Sequence, residues 1–224
     1  MNGDNSNAEG RTITTYHNEA AIVWTYTPCS TMGILTPDKC RLDYNARFKD
    51  YILGLQQKLG YNNVAAGGEM NVAPTSRHVD RREVPIIHLP SAKKWEQDDY
   101  ADLLSTTGLR NTAEGTSFEY EKTWSATGPL TFAMSLDHLL RPDPANIKAN
   151  EKAILIESFE ILPCPFGSDH NGFLFNAVFG RSAQSCALKP ILDTTGLCVF
   201  HLCAEHGKPT LVANGCECGH SRFS

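Results

Sequence analysis

The sequence predicts a mainly β protein: an antiparallel β-sandwich carrying one long amphipathic helix and an N-terminal arm. Three observations predict it. The last third runs as strand after strand, Ala153–Leu162, Gly172–Phe179, Gly196–Leu202 and Thr210–Val212, punctuated by Gly, Pro and Asp at the spacing of an antiparallel sandwich. One stretch, Leu42–Leu59, changes to a helical period. The first twenty residues hold few large apolar side chains and read as an arm, 1–20, ahead of a single sandwich domain, 21–224, since such a segment gains little by burying itself.

Taken in order, Ala21–Thr27 (AIVWTYT) is β-branched and aromatic and is ended by Pro28, the signature of a core strand and its breaker. The helix is expected over about 43–59, where Tyr44, Phe48, Ile52, Leu55 and Leu59 recur every three or four residues. Asp43 is its expected N-cap, Gly60 its stop, and Lys58 suits the negative end of the dipole. Asn62–Ala73 reads as a Gly/Asn loop. Val84–Leu89 contains Pro85 and reads as an edge strand or a strand start, because proline cannot donate to the ladder. Asp98–Leu104 suits a helical turn or two, Thr106–Thr116 a loop, Ser117–Tyr120 and Leu130–Met134 strands, and Leu140–Asn150, with two prolines, a loop.

A chain of 224 residues that is 41% hydrophobic is of one-domain size and has enough apolar material for an ordinary core, which excludes disorder. A formal charge of −5 and a pI near 5.9 offer no basic stripe, so direct nucleic-acid binding is not expected. No apolar run approaches the roughly 20 residues of a membrane span. The 8 cysteines occur without any Asn-x-Ser/Thr sequon, and Met1–Arg11 lacks the basic start and apolar middle of a secretory signal. The expectation is therefore a cytosolic protein with reduced cysteines.

The densest set of chemically able side chains is C-terminal: Cys198, His201, Cys203, His206, Cys216, Cys218 and His220. Cys203-x2-His206 with Cys216-x-Cys218 has ligands that a tetrahedral structural zinc takes. Against it, the strand around Cys198–Cys203 sends Cys198 and His201 to opposite faces, and unpaired cysteine is a common core residue. A cysteine nucleophile needs a histidine base and an orienting polar group; Cys164 with His170 or His201 could supply such a pair, but eight Cys and eight His allow such pairings by chance. No G-x-S-x-G, H-E-x-x-H, Walker or G-x-G-x-x-G pattern is present, so no catalytic residue is assigned and the chain is not expected to be an enzyme. Arg77, His78, Arg81 and Arg82 form a basic cluster able to fork phosphate oxygens, or a solvated loop balanced by Asp80 and Glu83. Trp24, Trp95 and Trp124 read as core or interface anchors.

The order of elements carries a resemblance. Ile22–Tyr26 (IVWTY), Arg82–Ser91 (REVPIIHLPS) and Trp124-Ser125-Ala126-Thr127-Gly128 together make the chain resemble cypovirus polyhedrin, with Trp124, Ala126, Thr127 and Gly128 standing in the family's W-x-A-T-G stretch. The resemblance implies a structural protein of viral occlusion bodies in the host cytoplasm. It would form a trimer, self-assemble into intracellular crystals around virus particles, and dissolve when alkaline pH deprotonates its Cys, Tyr and Lys side chains. No cofactor would be required. Some members hold nucleoside triphosphates between subunits, which makes Arg77, His78, Arg81 and Arg82 the expected phosphate contacts. Two alternatives stand beside it: a zinc-stabilised β-domain serving partner binding or metal-assisted hydrolysis through the Cys/His set, and a jelly-roll capsid protein.

Overall fold

The β-branched run after Ala20 forms the strand its composition favours. The computed structural model describes residues 10–17, 19–31, 37–81, 89–126, 132–163, 168–182, 198–202 and 209–213. In chain order the elements are β1 (Thr12–His17), β2 (Ala20–Tyr26), α1 (Lys39–Leu59), β3 (Val64–Glu69), β4 (Val79–Arg81), α2 (Lys94–Thr107), β5 (Leu109–Asn111), β6 (Trp124–Ser125), β7 (Phe132–Met134), β8 (Asp137–Pro142), β9 (Lys152–Leu162), β10 (Gly172–Ser182), β11 (Cys198–Leu202) and β12 (Pro209–Ala213). They make a five-stranded sheet in the order β1-β2-β3-β8-β5, a four-stranded sheet β12-β11-β10-β9 and a small sheet β4-β7-β6.

This corrects the expected fold, an antiparallel sandwich with one long helix and an arm. β2 and β3 pair in parallel, and parallel neighbours need a crossover of a dozen or more residues, which α1 supplies. The larger sheet is therefore mixed, and the architecture is α/β. Thr12–His17 is an edge strand, paired residue by residue with β2. A second helix, α2, runs well beyond the expected Asp98–Leu104. Its apolar side chains are few, so its period shows in the sequence only around Tyr100, Leu103 and Leu104, which join the core. Ser117–Tyr120 forms turns rather than a strand, and Leu140–Pro142 belongs to β8 rather than to a loop.

α1 begins four residues before the expected start. Its N-cap is Asp38, not Asp43: the Asp38 carboxylate accepts from the amides of Cys40 (2.9 Å) and Arg41 (3.2 Å), two donors that a helix start leaves unpaired. Tyr44, Phe48, Ile52 and Leu55 pack with Tyr100 onto Val23, Val64, Ala66 and Leu140. The opposite face of the same sheet, through Ile22, Trp24, Ala65 and Leu139, packs on Ile154, Phe173 and Phe175 of the second sheet. Each large apolar side chain buried in these layers contributes roughly 1.5–3 kcal/mol.

Strand alternation places the end of β3. Val64 and Ala66 face the helices, so Ala65, Gly67 and Glu69 face the second sheet. Glu69 lies opposite Asp137 in the β3–β8 register, which puts both carboxylates between the two sheets at their rim. The approach is made by Gly68, at φ +118°, where a Cβ would lie 2.2 Å from the Thr25 carbonyl oxygen. Only glycine permits both that conformation and that contact.

Gly68→Ala should therefore destabilise the chain by about 3 kcal/mol. Gly54→Ala, in α1 with open space around the new methyl, should stabilise it by about 0.5–1 kcal/mol. Urea unfolding of both variants checks the pair. Equal effects would show that the β2–β3 approach is looser than described.

Candidate functional site

Four acidic or imidazole side chains converge where the ends of β3 and β8 meet the start of β10. Glu69 ends β3, Asp137 opens β8, and Asp169 and His170 lie just before β10. One ligand atom from each of Glu69, Asp137 and His170 lies within 4.8 Å of the others. His170 Nδ1 is 2.8 Å from Asp137 Oδ2, and its Nε2 is 3.7 Å from Glu69 Oε2. Asp137 accepts, so Nδ1 carries a hydrogen and Nε2 is the nitrogen turned toward Glu69.

Each member is held by a neighbour chosen for its hydrogen-bonding chemistry. The Thr123 hydroxyl oxygen accepts from the amides of Leu136 (2.9 Å) and Asp137 (3.0 Å) and so pins the start of β8. Trp124 Nε1 donates to Asp169 Oδ2 at 2.8 Å, while the other oxygen, Oδ1, is buried without a hydrogen-bond partner. Asn171 donates from its amide to the Thr123 carbonyl (2.6 Å) and from Nδ2 to the Lys122 carbonyl (2.8 Å), fixing the residue after His170. Asn71 Nδ2 donates to Glu69 Oε1 and to the Thr27 carbonyl, both at 2.8 Å. Its backbone is left-handed, φ +48°, a conformation that asparagine tolerates better than most residues. Beside Glu69 in the β2–β3 register stands Tyr26, 41% exposed, with the Arg11 guanidinium 5.0 Å above its ring.

Burial and like charges set the protonation. Burial first, then the Asp137 charge, push the Glu69 carboxyl up to about 7, against the opposing pull of His170 and the Asn71 hydrogen bond. Burial alone would lower His170. The hydrogen bond and charge of Asp137, with Glu69 and Asp169, outweigh it and lift the imidazole to about 9. At neutral pH His170 is thus an imidazolium among carboxylates. His138, the next residue along β8, is the opposite case. Its pKa is lowered by burial, and the neutral ring is oriented by the Val72 carbonyl at Nε2 (2.8 Å) and Asn111 Nδ2 at Nδ1 (2.9 Å).

Clustered carboxylates with one unpartnered oxygen fit a hard divalent cation, for which oxygen ligands are preferred. Glu69 Oε2, Asp137 Oδ1 and Asp169 Oδ1 take none of the hydrogen bonds above, and Glu69 and Asp137, with His170, are the residues whose ligand atoms cluster within 4.8 Å. This corrects the expectation that no cofactor is required.

The residues singled out from sequence are dispersed. Arg77 is exposed, its guanidinium 3.7 Å over the Tyr120 ring and bonded to the phenol oxygen at 2.8 Å. His78 is buried against Thr75, and burial first lowers it to about 4, leaving it neutral. Among the described residues, neither is hydrogen-bonded to Glu69, Asp137 or His170. Arg81 ends β4, and Arg82 lies outside the described residues. Trp124 enters the site through Asp169, with Ala126 two residues on, whereas Thr127 and Gly128 lie outside. Cys198 and His201 fall on β11 as backbone only, and Cys164, Cys203, His206, Cys216, Cys218 and His220 lie outside the described residues. Trp95 is half-buried, with a buried, unpartnered indole nitrogen, and joins none of the core clusters described above.

Glu69, Asn71, Asp137 and Asp169 went unread in the sequence, and His170 was considered only beside Cys164. A usable signal was present: acidic residues at the ends of apolar strands, in Gly68-Glu69-Met70-Asn71 and Ser168-Asp169-His170-Asn171.

No protein-family model matches the chain. No curated protein matches it either. Solved structures do. A 3′-5′ exonuclease, NExo, from Neisseria meningitidis superposes with TM-score 0.54 at 17% identity, covering 76% of this chain and 65% of that one. The same figures hold for a Neisseria 3′ phosphatase NExo bound to product DNA hairpin. An AP endonuclease, LMAP, from Leishmania major gives 0.57 at 16%, covering 77% and 55%. The chain thus spans less than two thirds of the length of these structures, and what they share with it is a fold, the DNase I-like α/β arrangement.

That fold overturns the resemblance to cypovirus polyhedrin and, with it, the expected non-catalytic occlusion-body protein that assembles into trimers and crystals around virus particles. It also overturns the jelly-roll alternative. The structures sharing the fold are an exonuclease, a 3′ phosphatase with a product DNA hairpin bound and an AP endonuclease, and this overturns the expectations of a non-enzyme and of no nucleic-acid contact as readings of the fold. Metal-assisted hydrolysis, the reaction class of the zinc alternative, stands closer to the findings. Among the described residues, no helix is long and apolar enough to cross a membrane.

Both raised groups hold their proton more tightly when folded, so in metal-free buffer stability should fall as pH rises. His170 contributes fully below its ordinary 6.5 and loses that contribution as pH climbs through about 9. Urea unfolding in EDTA from pH 6 to 9.5 should show the decline. His170→Gln should flatten it, and an unchanged slope would mean that the His170–Asp137 pair does not form.

Proposed function

We propose that this chain is a metal-dependent hydrolase of phosphoester bonds in nucleic acid. The observation that carries the reading is the cluster of buried Asp137 with half-buried Glu69 and His170, their ligand atoms within 4.8 Å of one another. It sits at the rim between the sheets of a fold shared with an exonuclease and an AP endonuclease. The substrate class comes from those neighbours, and the reaction class from the site, since fold by itself does not assign function.

A divalent cation bound there supplies Lewis-acid polarisation of a phosphoryl oxygen. The carboxylates of Glu69 and Asp137 would hold it. Everything else is done by the chain. Asp137 fixes the His170 ring and keeps it protonated, so that Nε2–H is aimed into the site as a donor to phosphoryl oxygens, whose negative charge grows in the transition state. Asn71 occupies Glu69 Oε1, which leaves one carboxylate oxygen facing the site and fixes its direction. Trp124 holds the neighbouring Asp169 through Oδ2. The side chains are thus oriented before any substrate arrives, and less reorganisation is left to the reaction.

With Mg2+, the chain should cleave or dephosphorylate a DNA oligonucleotide, and EDTA should stop it. Glu69→Ala and His170→Ala should each lower the rate by about 100-fold or more while circular dichroism remains that of the folded chain. Hydrolysis that persists in EDTA, or that survives in both variants, would defeat the reading.

A further inference from the structure

Arg41 is 2% exposed in the first turn of α1, yet among the described residues no carboxylate is hydrogen-bonded to it. Its partners are backbone. Nη1 donates to the Pro28 carbonyl (2.5 Å), and Nη2 to the carbonyls of Met70 (2.8 Å) and Asn71 (3.1 Å), while Nε donates to Asn45 Oδ1 (3.1 Å). Four donor contacts around one planar group use nearly all the hydrogen-bonding capacity of a guanidinium. The carboxylates of Glu96 and Asp99 act on it through charge, without a hydrogen bond among the described residues. Burying an arginine this way is costly, and carbonyl dipoles rather than a salt bridge offset the cost.

The carbonyls it takes are informative. Pro28 follows β2, and Met70 and Asn71 follow β3. The Val72 carbonyl, next in line, is taken by His138 Nε2. Three consecutive carbonyls after Glu69 are therefore bound by side chains reaching in from α1 and β8. That segment contains the left-handed Asn71, whose Nδ2 directs Glu69. A non-glycine residue in this conformation costs roughly 1–3 kcal/mol and persists only where its surroundings impose it.

We propose that Arg41 is a positioning residue for the Glu69 site: by holding the Pro28, Met70 and Asn71 carbonyls it imposes the left-handed turn at Asn71, and through Asn71 it aims the Glu69 carboxylate for cation binding. The inference rests on the reading of Glu69 as part of a metal site. Lysine would not substitute, because a single ammonium cannot reproduce a planar fork spread over carbonyls from two loops.

The test uses the full chain, Arg41→Ala, Arg41→Lys, Asn71→Ala and the Arg41→Ala/Asn71→Ala double variant, with two readouts. Calorimetric titration with Mn2+ should show affinity reduced about 10- to 100-fold in each single variant, the range for residues that orient metal ligands. The double variant should be no worse than the weaker single one, because both act on the same carboxylate. Free guanidinium ion should restore part of the loss in Arg41→Ala and none in Asn71→Ala. Amide exchange should quicken at Met70 and Ala73, whose N–H groups donate to Leu136 and Ser91. Folded Arg41→Ala with Mn2+ affinity within twofold of the parent, or losses that multiply in the double variant, would overturn the proposal. If Arg41→Ala does not fold, Arg41→Lys, which keeps charge and stem, gives the same readings. A parent chain that binds no Mn2+ would defeat the metal reading and the cation half of this inference, whereas unchanged exchange at Met70 and Ala73 would defeat the clamp itself.

Discussion

Three carboxylates, Glu69, Asp137 and Asp169, share one imidazolium, His170, at the rim of two packed sheets, and the surrounding structure depends on keeping them there. Carboxylates taken out of water cost several kcal/mol each unless paired. Here the pairing is incomplete: Asp137 has His170, Asp169 has one indole, and Glu69 has one side-chain amide. The strain of that arrangement shows as a Glu69 carboxyl lifted to about 7. A bound cation would supply the missing positive charge, which is why the same feature serves as a cost to the fold and as a site for chemistry.

The fold provides the place. α1 carries the chain from β2 to a parallel β3 and covers one face of the sheet, leaving the other for the second sheet. Glu69 and Asp137 then emerge side by side at strand ends, where main-chain pairing has finished and the two sheets no longer cover each other's edge. Gly68 lets β3 approach β2 just before Glu69, so the acid sits against the loop after Tyr26 rather than away from it. Asp169 and His170 are delivered from the second sheet, by the residues preceding β10. No single element builds the site.

Around it lies a layer of polar groups that touch no reacting atom: the Thr123 hydroxyl, the Trp124 indole, Asn71, His138 and Arg41. Buried polar networks are favourable only when each member is satisfied, and these largely are, by backbone carbonyls and amides. Their partners are the short segments at 70–72, 122–123 and 136–137. A fold selected for stability alone would place apolar side chains at these positions. Their presence marks the part of the molecule where orientation takes precedence over packing.

The sequence was a good guide wherever a side chain's own preference decided the matter. The aromatic and β-branched run of β2, the apolar repeat of α1 and the long strands β9 and β10 were all legible, because each buries a face whose period is written locally. β3 was not. Val64-Ala65-Ala66-Gly67-Gly68-Glu69 consists mostly of small residues and reads as a loop, yet it is a central strand, small because Trp24, Leu139 and the β2 backbone press against it. Polyhedrin-like order of elements misled for the same reason: order along the chain does not say which strands pair or in which direction. By itself the sequence determined which segments bury apolar faces and where acids stand at strand ends. Only the tertiary structure decided that Glu69, Asp137, Asp169 and His170 meet. Their meeting depends on a parallel β2–β3 pairing and on two sheets sharing a rim, contacts between residues as far apart in the chain as Trp24 and Phe175 that leave no local period to read.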